Sequence, residues 1–470
     1  MSSSAFLRRP SSQTGRRRGG GVVPAGRKET PNFRAQSPAR GEVLMELKPD
    51  DIKDVKNNSK IKDCKYVASY NWLDGEDPKI AVPGTPPLWN PPAIPRELEL
   101  DSGDFFRDLN AARYPSCPLV PAAQAVRELA TQFPTQDVDV FTCADTLCKL
   151  ARFNCGEEQT FRIILTKIGN TLFMIRRENS PDELIPEVKG YGHTFPNAYT
   201  LWEQDVKTSV SHQRIIHYGF GGLRLLVRFE VDGYYGGEKD SDPLMTGADK
   251  LLSQLKHNFL HGHIAPFGED GLQISRTGRG AVAQGSIFEI KTRNAFDFNT
   301  WTTKKVIDTS VLIPKLYFCQ VPTLMAGFHT QGTFKDIDKM DMRPATEQWE
   351  ANNAENLGRL ASLLYRLVDI AKASQTSLEL CRSDMGPLEI RRVTGEVCDE
   401  IPASLRSWWL GEDSPPMQES NNSDDAPAVG QADYGDGHES DEYDHCSYSD
   451  HAAGDKGNDS DDSWIDFTAC

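Results

Sequence analysis

Two short signatures carry the residue types that could do chemistry in this chain. One is Arg228-Phe229-Glu230-Val231-Asp232-Gly233 and the other is Ser286-Ile287-Phe288-Glu289-Ile290-Lys291-Thr292. Both lie in apolar, strand-like runs. In a strand, residues two apart share a face. Glu230 and Asp232 therefore point together, and so do Glu289 and Lys291. Two such strands side by side bring three carboxylates and one ammonium into one place. Carboxylates are hard oxygen ligands suited to Mg²⁺ or Mn²⁺, and a neighbouring lysine can hold a water or a phosphate oxygen. That set suits metal-assisted phosphodiester hydrolysis. Val227, Phe229 and Val231 alternate with Arg228, Glu230 and Asp232, and Phe288 and Ile290 alternate with Glu289 and Lys291. The solvated face of a half-buried strand shows the same alternation, so the pattern by itself leaves both readings open.

Spacing suggests which elements hold these signatures. The run 64–70 reads as a strand, and Pro83-Gly84-Thr85-Pro86-Pro87-Leu88-Trp89 as an extended segment pinned to the core by Trp72 and Trp89. Val126, Leu129 and Ala130 predict a helix within 121–133, and a second helix is expected over 138–152. Residues 161–166 and 171–176 predict a hairpin across Lys167-Ile168-Gly169-Asn170. A loop is expected over 177–189 and a short helix over 199–206. The first signature strand and its approach occupy 215–231. Residues 233–284 read as an insert with one amphipathic helix near 248–260. His257 and His261 stand four apart there, with His263 beyond, a spacing that permits metal binding. No Cys, Asp or Glu completes that set before Glu269, which favours surface or capping histidines. Leu357, Leu360, Leu363, Leu364, Leu367 and Ile370 predict a core helix over 354–371. Strands 378–381 and 388–393 close the fold around Met385-Gly386-Pro387, with Trp408 and Trp409 at its end.

The 470-residue chain has a net charge of −16, and that charge is unevenly placed. Residues 1–40 hold nine Arg/Lys and one Glu; residues 411–470 hold seventeen Asp/Glu and one Lys. The remaining body has 42 basic and 50 acidic residues, so the acidic balance belongs to the tail and does not argue against a nucleic-acid substrate. Both ends read as disordered. The expected organisation is a basic arm and linker over 1–65, one domain over 66–410, and an acidic tail over 411–470. Arg8-Arg9 and Arg16-Arg17-Arg18 suit a nuclear localisation patch, a mitochondrial transit peptide or a plain basic arm. A nuclear or cytoplasmic location is the expectation. Ten irregularly spaced cysteines without a C-x-x-C pair fit reduced thiols better than a disulfide framework. No run of eighteen apolar residues exists, so no membrane span is expected.

The order of the signatures resembles the DXO-type decapping nuclease family over about residues 66–409. That family's metal site looks like Glu-hydrophobic-Asp followed by Glu-hydrophobic-Lys-Thr, here Glu230-Val231-Asp232 and Glu289-Ile290-Lys291-Thr292. Its later apolar strand before Gly-Phe is similar to Thr323-Leu324-Met325-Ala326-Gly327-Phe328, and its Gly-Pro turn and late Trp are similar to Gly386-Pro387 and Trp408. The resemblance implies an α+β fold of the PD-(D/E)xK nuclease type, a mixed sheet flanked by helices. It implies Mg²⁺- or Mn²⁺-dependent attack on RNA 5′ ends, releasing pyrophosphate or a cap, with 5′–3′ exonuclease activity in some members and a 5′–3′ exoribonuclease as a partner. Carried over, Glu230, Asp232 and Glu289 hold the metal with the Ile290 carbonyl, and Lys291 orients or activates the attacking water. Arg228 and Lys315 are expected on the substrate side.

Three positions depart from the family pattern. Its upstream Glu after Gly-x-x-Phe is replaced by Pro196, which follows Gly192-His193-Thr194-Phe195. Glu203 or Asp205 is the candidate to compensate. A family Gln twelve residues before Gly327 is Lys315, and an Arg expected near 142–145 is absent. The alternative is therefore a catalytically degenerate member that binds RNA or protein. A prenyl diphosphate synthase is disfavoured, because Asp461-Asp462-Ser463-Trp464-Ile465-Asp466 has the wrong spacing for Asp-Asp-x-x-Asp.

Overall fold

The computed structural model describes residues 38–52, 59–186, 188–236, 271–297, 302–303, 305–395 and 401–412. Its centre is an eleven-stranded mixed sheet. In spatial order the strands are Val43–Leu47, Leu388–Arg392, Leu378–Arg382, Phe161–Ile168, Thr171–Arg176, Val140–Cys143, Leu223–Glu230, Ser209–Phe220, Ile61–Leu73, Lys79–Val82 and Gln273–Arg276. Val140–Cys143 runs parallel to both of its neighbours, and most other pairs are antiparallel.

Alternation along Leu223–Glu230 explains why this strand is central. Leu225, Val227 and Phe229 enter one core with the helices Ala144–Asn154, Leu312–Cys319 and Ala354–Ala373. Leu226 enters the opposite core, with Tyr70, Trp72, the helix Val120–Leu129 and Trp409 of the helix Ala403–Leu410. The sheet is thus covered on both faces, the mixed α+β architecture expected from the sequence. The hairpin from Ser209–Phe220 into Leu223–Glu230 turns through Gly221 (φ +59°) and Gly222 (φ +93°), two left-handed positions that suit a tight hairpin turn. A Cβ on either residue would also strike the long helix: Ala361 Cβ at 2.4 Å from Gly221 and Tyr365 Oη at 2.7 Å from Gly222. These glycines fix how closely helix and hairpin approach.

A second, six-stranded sheet runs Thr333–Asp341, Thr323–Thr330, Ile287–Asn294, Gly233–Tyr234, Leu88–Trp89, Thr200–Leu201. Its own small core gathers Phe195, Tyr199, Phe288, Ile290, Met325 and Phe334. Gly327 has no room for a side chain, because its Cβ would meet Phe195 Cζ at 2.9 Å.

Several expectations need correction. The two signature strands are not neighbours: Leu223–Glu230 belongs to the large sheet and Ile287–Asn294 to the small one. Residues 41–65 are not only linker. Val43–Leu47 pairs with Leu388–Arg392, and the strand Ile61–Leu73 has already begun. In 138–152 the first residues form the strand Val140–Cys143, because Phe141 and Val140 are buried between strands, and the helix starts at Ala144. In 199–206 the helix lies earlier, at Thr194–Tyr199, where Phe195 and Tyr199 anchor it in the small core; Thr200–Leu201 then extends as a strand. The hairpin Phe161–Ile168/Thr171–Arg176, the helix Ala354–Ala373 and the closing strands Leu378–Arg382 and Leu388–Arg392 form as predicted. The helix expected at 248–260, its histidines, and the two tails beyond 38 and 412 lie outside the described residues. Among the described residues no helix is long and apolar enough to cross a membrane.

Candidate active site

The site forms where the chain crosses from one sheet to the other. The large-sheet strand ends at Glu230; Val231 and Asp232 bridge; Gly233 and Tyr234 then join the small sheet, with Gly233 opposite Phe288. On Ile287–Asn294, Phe288 and Ile290 pack into the small core while Ile287 packs into the large one. Glu289 follows Ile287 by period two and is turned the same way, toward the junction. Sequence spacing placed Glu230 and Asp232 on one strand face; in the structure it is the crossing that carries Asp232 to the second signature.

Asp232 Oδ2 accepts a 2.6 Å hydrogen bond from Ile290 N–H, tying the crossing segment to the second signature. Glu289, 2 % exposed, receives two ammonium groups on one oxygen: Lys315 Nζ at 2.7 Å and Lys291 Nζ at 2.9 Å from Oε1. Glu230 is within electrostatic reach of Asp232, Lys315, Arg228 and Glu289. The structure therefore brings together Glu230, Asp232, Glu289, Lys291 and Lys315.

Burial and the neighbouring Asp232 push the Glu230 carboxyl up to about 8, against relief from Lys315 and Arg228. Burial and Glu289 also push Asp232 up. Glu289 goes the other way, because Lys291 and Lys315 outweigh the effect of its burial. These shifts fix the sign of a pH dependence. A carboxyl raised in the folded state favours folding below its ordinary value of 4.5 and loses that contribution as pH rises through about 8. The thermal midpoint of EDTA-treated protein is expected to carry a falling component between pH 5 and 8 that Glu230→Gln removes. A Glu230→Gln profile parallel to wild type would contradict this.

Of the two residues expected on the substrate side, one is enclosed and the other lies within the carboxylate cluster. Arg228 is only 2 % exposed and its Nη1 donates to Gln213 Oε1 at 3.3 Å. Two residues before Glu230 on a central strand, it is walled in and offsets the carboxylate instead of meeting an incoming ligand. Lys315, on the helix Leu312–Cys319, is bound to Glu289 inside the cluster. Pro196 contributes no ligand; its carbonyl accepts from Thr200 Oγ1 at 2.8 Å, and the preceding backbone N–H groups of His193 and Thr194 are held by Asp101. Glu203 and Asp205, the candidates to compensate, are engaged by a basic residue. Both pair with Arg279, Glu203 also accepts from Tyr234 Oη, and together they line a cavity of about 390 Å³ with Thr85 and Tyr234.

Whether these residues fit a divalent cation depends on kind and on placement. In kind they fit: hard carboxylate oxygens, with raised Glu230 and Asp232 marking an excess of negative charge that a cation would relieve. In placement, no three His, Cys, Asp or Glu side chains among the described residues are grouped so as to hold a metal ion. Glu289 Oε1 is held by two lysines and Asp232 Oδ2 by a backbone N–H. Lys315 was visible in the sequence only as a substitution; its position inside the cluster depends on where Leu312–Cys319 packs.

Residues 47–380 match the model of a family described as Domain of unknown function (DUF8563). Comparison with curated proteins finds no match. Among solved structures the chain is similar to a Rai1 from Scheffersomyces stipitis in complex with (3′-NADP)⁺ and calcium ion, at 12% identity and TM-score 0.48, covering 79% of this chain and 99% of that one. It is similar to a Rai1 from Candida albicans in complex with pU5-Mn²⁺, at 12% identity and TM-score 0.46, covering 78% and 99%. A Dxo1 from K. lactis in complex with manganese follows, at 11% identity and TM-score 0.39, covering 75% and 96%. Likeness at this level assigns no activity.

Proposed function

We propose that this chain, which belongs to the DUF8563 family, is a divalent-metal-dependent hydrolase acting on RNA 5′ ends, where it removes pyrophosphate or a cap. The observation that carries the reading is the convergence of Glu230, Asp232, Glu289 and Lys291 at the crossing between the two sheets. The choice of RNA 5′ ends rests on the order of the two acidic signatures, which resembles the decapping nucleases.

As they stand, Glu230, Asp232 and Glu289 do not form a three-ligand group; drawn together, they would hold Mg²⁺ or Mn²⁺, with the Ile290 carbonyl as a further oxygen. The ion, when bound, supplies Lewis-acid polarisation of a phosphoryl oxygen and a lowered pKa for a bound water. The residues of the chain do the positioning. Asp232 is fixed by the Ile290 N–H, so its second oxygen has a defined direction. Lys291, 36 % exposed at its side chain, faces solvent at one end and Glu289 at the other, which suits an ammonium that steadies a water or a phosphate oxygen. Phe288 and Ile290, packed beneath, keep the Glu289–Lys291 strand from shifting register. Pyrophosphate release would leave a 5′-monophosphate, the end that a 5′–3′ exoribonuclease partner consumes.

A second reading, a catalytically degenerate RNA- or protein-binding module, is favoured by one contact, the 2.7 Å ion pair between Lys315 and Glu289. The two are separated by incubating the full chain with 5′-triphosphate, capped and 5′-monophosphate RNAs, each with Mg²⁺, Mn²⁺ or EDTA. Asp232→Ala is run in parallel. Metal-dependent release of pyrophosphate or cap, lost in Asp232→Ala, is the expected result; processive nucleotide release from 5′-monophosphate RNA would identify the exonuclease. A folded protein with no turnover on any RNA would leave the binding module.

A further inference from the structure

We propose that Lys315 is a tethered counter-ion of the carboxylate cluster, so that the Lys315–Glu289 ion pair and a bound divalent cation exclude one another and Lys315 sets the affinity for metal. The proposal rests on the metal-dependent reading above and deepens it. Lys315 Nζ lies 2.7 Å from Glu289 Oε1, the same oxygen that Lys291 reaches at 2.9 Å. Its charge also offsets Glu230 and Asp232, while its direct carboxylate contact is with Glu289. Mg²⁺ or Mn²⁺ bound through Glu289 Oε1 would need it at about 2.0–2.2 Å, which leaves no room there for the two ammonium groups that now share that oxygen.

The two lysines differ in how they can yield. Lys291 has a side chain 36 % exposed on a strand at the mouth of the site, and can turn to water. Lys315 has a side chain 14 % exposed. It stands on a helix whose Leu312, Pro314, Leu316, Tyr317, Phe318 and Cys319 are all buried. Its backbone is therefore fixed, and only its own torsions can withdraw the charge. A hydrogen bond to a charged group that must be broken before the metal binds weakens binding by about 10- to 100-fold.

The test is isothermal titration of the full chain with Mn²⁺, with thermal melts in EDTA and in Mn²⁺ beside it. Wild type, Lys315→Gln, Lys315→Arg and the double variant Lys315→Gln/Asp232→Asn are compared; Lys315→Met is the second neutral variant should Lys315→Gln not fold. The expected result is a Kd about 10- to 100-fold lower for the neutral variants, with a matching gain in Mn²⁺-dependent melting temperature. Lys315→Arg stays at wild-type affinity, and the gain vanishes in the double variant. Equal affinity for wild type and Lys315→Gln overturns the counter-ion role and leaves the metal reading standing. Tighter binding that survives Asp232→Asn places the ion elsewhere and also overturns it. No Mn²⁺ binding by any variant overturns both.

Discussion

Glu289→Gln is expected to lower kcat/KM for metal-dependent hydrolysis by about 10³-fold while leaving the protein folded. Glu289 is where the site's charges meet: 2 % exposed, in the buried first half of its strand, with Lys291 and Lys315 on one oxygen. The carboxamide keeps shape and volume, so the strand should hold its register. What goes is the charge, and with it one metal ligand and the counter-charge of two lysines. Losing the charge-assisted bonds costs about 1–3 kcal/mol of stability, a modest fall in Tm that circular dichroism will separate from the loss of turnover. Loss of turnover that tracks unfolding, or a variant that keeps wild-type kcat/KM, would count against Glu289 as part of the chemistry.

The largest stability effect is expected far from the site, at Glu379. This carboxylate is fully buried on the strand Leu378–Arg382. It receives Arg162 through both oxygens, at 2.7 and 3.0 Å, and Arg177 Nη1 at 2.9 Å. Arg162 is itself only 7 % exposed. Glu379→Ala would leave a buried guanidinium unpaired and a second one weakened. Stranding a buried charge costs about 3–5 kcal/mol, or roughly 10 °C in Tm for a domain of this size. Arg343→Ala provides the contrast: its bond to Asp341 joins side chains 70 % and 50 % exposed, so the change should stay within about 1 kcal/mol. Equal Tm shifts for the two variants would refute the distinction between a buried network and a surface pair.

The parts of the architecture that depend on local periodicity were legible in the sequence. The helix Ala354–Ala373 follows from leucines at helical spacing, and the hairpin Phe161–Ile168/Thr171–Arg176 from two apolar runs around Gly169-Asn170. Parts that depend on long-range pairing were not. Nothing in 43–47 announces a strand, since Val43, Leu44 and Met45 are exposed, and its pairing partner is some 340 residues away at Leu388–Arg392. The same limit applies to the site. Period two correctly turns Glu289 and Lys291 to one side, but whether Ile287–Asn294 lies beside Leu223–Glu230 or in another sheet is set by the crossing at Val231-Asp232-Gly233. Lys315 could be read as a substitution but not as a cluster member, because only the packing of Leu312–Cys319 aims it at Glu289.

The most direct test of the central claim is single-turnover hydrolysis of 5′-triphosphate RNA by the full chain across a Mn²⁺ titration, with Asp232→Asn beside it. The account predicts pyrophosphate release that saturates with Mn²⁺, stops on addition of EDTA, and is absent in a folded Asp232→Asn protein. Release that persists in EDTA, or that Asp232→Asn carries out at the wild-type rate, would contradict it.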